Sequence, residues 1–68
     1  MTNFLIFADI ATGDVKGALE VPPCFAPNER FVDRALLHGL DVYTIKADTP
    51  LSPLFMQAGE NIYQEVTK

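Results

Sequence analysis

Apolar and polar positions change their spacing several times along the 68-residue chain. Residues 3–10, Asn-Phe-Leu-Ile-Phe-Ala-Asp-Ile, are aromatic and branched with almost no polar break. That is the pattern of a strand covered on both faces, and so of a central one. Ala11-Thr12-Gly13-Asp14 reads as a turn, with Gly13 free to take a positive φ. Residues 15–21 then alternate, with Val15, Gly17, Leu19 and Val21 on one side and Lys16, Ala18 and Glu20 on the other. A β-hairpin follows, its second strand covered on one face only.

Pro22-Pro23-Cys24-Phe25-Ala26-Pro27 cannot extend that strand, because proline lacks an amide donor and restricts the residue before it. The segment reads as a stiff crossover. The stretch from Pro27 to Asp48 is the one around which the rest is arranged. Asn28 is placed to accept from a free amide of a first helical turn, and Glu29 puts negative charge at the positive end of that helix. Phe31, Val32, Ala35 and Leu36 share one helical face, and Gly39 can take the left-handed conformation that stops the helix. The period then drops to two, with Leu40, Val42 and Thr44 facing one way and Asp41, Tyr43 and Ile45 the other. After a loop through Pro50, Ser52-Pro53 is a helix-start pair, and Phe55, Ala58 and Ile62 have helical spacing. Gly59 and the strand-like composition of residues 62–67 oppose a long helix. The expectation is a helical turn over residues 53–58 and then a short last strand.

The order strand, strand, helix, strand, helical turn, strand predicts a small two-layer α+β domain. One main helix packs across an antiparallel sheet of three to four strands, a ββαβ core with its C-terminal addition. The outer sheet face and at least one edge are expected to lie open, and open edges are pairing sites.

Length changes that picture by limiting the core. Fixing a chain costs on the order of 1.5 kcal/mol per residue, so a domain this small ends near zero unless something else contributes. The single cysteine, Cys24, rules out a disulfide, and with one histidine, His38, there is no zinc framework. Self-association into a homo-oligomer, or a protein partner, is the expected source of extra stability. The 49% apolar content argues against disorder. Nine carboxylates against five Lys or Arg give a net charge of −4, which disfavours both a nucleic-acid clamp and an anionic membrane surface. The apolar run Phe4-Leu5-Ile6-Phe7-Ala8 is too short for a signal sequence or a bilayer span, so a soluble cytoplasmic protein is expected.

Candidate chemistry is sparse. Cys24 and His38 are the one nucleophile–base pair available. Cys24 stands beside Phe25 with no positive charge to favour a thiolate, and reads as a packed, inert thiol. His38, in the last helical turn, suits capping of the carbonyl end. Asp9 and Asp14 bracket the first turn but supply too few oxygens for a calcium loop, and the glycines at 13, 17, 39 and 59 are too scattered for a phosphate loop. No enzymatic activity, cofactor or metal is expected. Recognition remains: Arg30 and Arg34 lie one helical turn apart beside Glu29 and Asp33, with Phe25 and Tyr43 as aromatic anchors. The plain alternative is a solvated face of mixed charge.

Several pieces of the first two thirds resemble one known family. Phe7-Ala8-Asp9 ends a strand, Thr12-Gly13 makes the turn, Pro22-Pro23 begins a proline link, Asn28 leads a helix bearing Arg34 and Leu36, and Val42-Tyr43-Thr44-Ile45 returns as a strand before Asp48. Over residues 4–48 this is similar to the small accessory proteins of gokushovirus-like microviruses. The resemblance implies a non-catalytic phage accessory protein, with an association with viral DNA handling. The combined expectation is a protein-binding accessory factor that acts through an open sheet edge or the helix face and self-associates. A second expectation is an acidic inhibitor of a host enzyme, carried by Asp33, Asp41, Asp48 and Glu60. A third is single-stranded DNA association, resting on Lys16, Arg30, Arg34 and Lys46.

Overall fold

β1 (Thr2–Asp9) lies in the middle of a three-stranded antiparallel sheet, between β2 (Val15–Val21) and β3 (Leu40–Ala47). Two helices complete the chain, α1 (Glu29–Leu37) and α2 (Pro53–Thr67), in a computed structural model that describes residues 1–68. This is the α+β arrangement that the periodicity predicts. Five consecutive residues of β1, Phe4 to Ala8, are buried, which only a central strand with both faces covered allows.

The two faces carry separate clusters. Leu5 and Phe7 point to one face with Val21 and Val42, and α1 closes that face with Ala35, Phe31 and Val32. The ring of Phe31 stands edge-on to Phe7 at 6.2 Å and tilts against Tyr63 of α2 at 5.5 Å. Phe4, Ile6 and Ala18 point to the opposite face and pack against Ile45, Leu51 and Met56. α2 therefore serves both sides of the sheet. Met56, near its start, covers the second face, while Ile62 and Val66, near its end, cover the first.

A helix that reaches both faces must cross an edge, and it crosses at β2. A Cβ built on Gly17 would lie 2.6 Å from the backbone nitrogen of Gly59, and one built on Gly59 would collide with the backbone of Ala18. Helix and strand backbones meet there without side chains between them.

This contact overturns two sequence-based expectations. Residues 53–67 form one 15-residue helix, with no break at Gly59 and no last strand. Gly59 is the point where the helix lies on β2, and the strand-like Ile62 and Val66 are four residues apart on the buried stripe; burial outweighs their weak helix propensity. β2 is likewise covered on both faces, since Ala18 is fully buried on the side opposite Leu19 and Val21.

The local signals around α1 are realised as predicted. Asn28 Oδ1 accepts from the Phe31 amide at 2.8 Å, and Gly39 has φ +73° just beyond the C-cap His38. Asp9 accepts from the amides of Ala11 (2.8 Å) and Thr12 (3.2 Å), so its carboxylate shapes the first turn. Leu36 is the exception on the apolar face of α1 and remains 48% exposed.

Candidate functional site: a bare strand edge beside an apolar groove

The two edges of the sheet differ. β2 has α2 lying on it, a bulge opposite the Phe7–Ala8 step, and Pro22-Pro23 at its end. Each of these blocks pairing with another strand. β3 has none of them. Its register with β1 is continuous from Thr2 opposite Ala47 to Asp9 opposite Leu40, and no turn, loop or cap hydrogen bond reaches residues 40–47.

The Ile10 amide donates to the Gly39 carbonyl at 3.1 Å, which sets the phase of the ladder. Alternate residues of an antiparallel strand turn their amide and carbonyl to opposite sides. Residues 41, 43, 45 and 47 therefore bond β1, while Leu40, Val42, Thr44 and Lys46 present theirs outward.

An apolar groove of about 270 Å³ runs beside this edge on the second face of the sheet. Tyr43 and Ile45 of β3 form one wall, Ile6 and Ala18 the floor, and Val15, Leu51 and Phe55 the other side, with no polar residue in the lining. Phe55 and Tyr43 remain 43% and 41% exposed, and the neighbouring Leu54 is 80% exposed. The N-terminal half of α2 thus covers only part of this face.

Sequence-predicted binding residues are not gathered at one place. Arg30 and Arg34 share a shallow hollow with Asn28, Phe31, Tyr63 and Thr67, where α1 meets α2. Neither pairs with Glu29 or Asp33, since the one ion pair of the chain joins Lys68 to Glu65 at 3.5 Å. Asp33 is exposed on α1. Tyr43 lies across the sheet from α1, on the face opposite Phe7 and Val42. Phe25 is half-buried against the α1-side core.

The groove escaped sequence reading because its wall and floor come from five separate segments. The available signal was the apolar second face of β1, Phe4 and Ile6, which requires a cover. Lys16 and Lys46 stand at opposite ends of the sheet, level with Phe7–Ala8 and with Asn3, which separates them along the strands by roughly 15 Å. Cys24 is exposed, not packed: a turn closed by the Phe25 amide on the Pro22 carbonyl (3.0 Å) holds it outward. No three His, Cys, Asp or Glu side chains come together in a group that could hold a metal ion, and no helix is long and apolar enough to cross a membrane. No known family, curated protein or solved structure matches this chain.

Proposed function

We propose that this chain is a small, non-catalytic, protein-binding accessory factor that binds by adding a strand to the outer edge of β3. The observation that carries this reading is the asymmetry of the sheet. One edge is closed by a helix, a bulge and prolines, whereas the other is eight residues long, regular and bare. Main-chain groups of Leu40, Val42, Thr44 and Lys46 supply affinity in such pairing, and pockets for alternate side chains supply selectivity. The groove beside Tyr43 and Ile45 offers those pockets on the second face. The resemblance of residues 4–48 to microvirus accessory proteins supports placing the factor in a phage-infected cytoplasm.

A photo-crosslinking residue in place of Tyr43, introduced in the cell that makes the protein, tests this reading. The expected result is a discrete adduct with a polypeptide, either another copy or a foreign chain, that disappears with Thr44→Pro. Proline at position 44 removes an outward amide that β1 does not use, so the fold is retained while the edge is blocked. No adduct, or one indifferent to the proline, overturns the proposal.

A further inference from the structure

Resting on the reading of β3 as a binding edge, we infer that its occupant is β3 of a second copy, paired antiparallel about a two-fold axis through Thr44. The two three-stranded sheets then join into one continuous sheet. The outward residues 40, 42, 44 and 46 must face outward residues of the other strand, which restricts the axis to a few positions. With the axis at Thr44, the two Thr44 residues exchange backbone hydrogen bonds, and each Val42 does so with the second copy's Lys46. Each Tyr43 then lies opposite the second copy's Ile45 on the groove side. Aromatic and β-branched side chains are favourable cross-strand partners, and here the pair occurs twice by symmetry. Moving the axis to Val42 or Tyr43 would instead set Asp41 opposite Tyr43 or Ile45, placing a carboxylate against the apolar wall.

The strand is self-complementary in the Thr44 register, with no side chain set against a like charge. β3 carries one acid near its start, Asp41, and one base near its end, Lys46. In this register Asp41 lies opposite Ala47 on the groove face, while Lys46 lies opposite Val42 on the other face. Because Tyr43 and Ile45 form one wall of the groove, pairing also joins the two half-covered grooves across the axis and withdraws the exposed Tyr43 ring from water.

Sedimentation equilibrium of the full chain from about 10 µM to 1 mM tests this inference, in a range chosen for an interface built on one strand pair. The expected result is a concentration-dependent dimer of twice 7.5 kDa, abolished by Thr44→Pro with an unchanged far-ultraviolet dichroism spectrum. Should Thr44→Pro fail to fold, the wild-type amides of Val42, Thr44 and Lys46 carry the test. Their hydrogen exchange slows as concentration rises if β3 pairs, and is independent of concentration otherwise. A monomer throughout, or a dimer that leaves those amides unprotected, overturns the inference. A monomer that still crosslinks to a foreign polypeptide from position 43 removes self-pairing and leaves the binding edge standing, whereas the absence of every adduct removes the edge itself.

Discussion

Two opposed effects of a single methyl group meet at Gly59. In the interior of an ordinary helix, replacing glycine by alanine gains roughly 1 kcal/mol from reduced backbone freedom in the unfolded chain. Here the added Cβ would strike the Ala18 backbone, which cannot move without disturbing the β1–β2 ladder. Overpacking of this kind costs about 1–3 kcal/mol and exceeds the gain. Gly59→Ala is therefore expected to lower stability in urea titrations, and a stabilised variant would contradict the crossing of α2 over β2. Asn28→Ala should cost about 1 kcal/mol by loss of the cap to Phe31, read in the same titrations. These two residues also mark what the sequence reveals. Asn28 and Gly39 are legible because a cap involves neighbours in the chain. Gly59 resembles a helix breaker because its partners, Gly17 and Ala18, lie some forty positions away. The exposure of Cys24 was hidden for a similar reason: a single turn hydrogen bond decides which way a short crossover points. Native protein should accordingly titrate one thiol with a disulfide reagent without denaturant.

Elements whose burial pattern holds along their whole length were readable as elements, which covers β1, β2, α1 and β3, although β2 is covered on both faces and not on one. α2 was not, because its two halves are buried on different faces and its apolar residues match no single stripe. Phe55 and Met56 belong to the second face, Ile62 and Val66 to the first, and the change occurs at Gly59. A period-based reading splits such a helix in two. The bare edge was anticipated only as an edge somewhere; which strand carries it depends on α2 reaching β2. At concentrations too low for β3 to pair, the amides of that strand divide into two sets. Amides of Tyr43 and Ile45, bonded to β1, should exchange slowly, while those of Val42 and Thr44 should exchange near the rate of open backbone. Hydrogen exchange resolved by residue checks this alternation, and uniform protection along β3 at low concentration would show that something else in the chain covers the edge.

At the scale of the whole molecule, net charge separates the two readings of its acidity. Two copies bearing −4 each, with dimensions of 31 × 23 × 20 Å, bring their centres to about 20 Å on pairing edge to edge. Coulomb repulsion at that distance is roughly 3 kcal/mol in unscreened water, is about halved at 0.01 M salt, and falls to a few tenths at 0.15 M. Asp41 and Lys46 project from opposite faces of the sheet, so no ion pair across the axis offsets this repulsion. Repulsion acts between all charges of both copies, and salt weakens it. Dimerisation should therefore tighten with salt, by roughly five-fold for about 1 kcal/mol between 0.01 and 0.15 M. An acidic inhibitor held to a basic enzyme surface through Asp33, Asp41, Asp48 and Glu60 has the opposite sign, because its attraction is screened. Those four side chains also lie on α1, β3, the loop after it and α2, so no single element presents them together. Sedimentation at the two salt concentrations reads the sign directly. Tighter association at high salt requires an interface driven by backbone pairing and apolar contact, as the edge of β3 and the groove beside it provide.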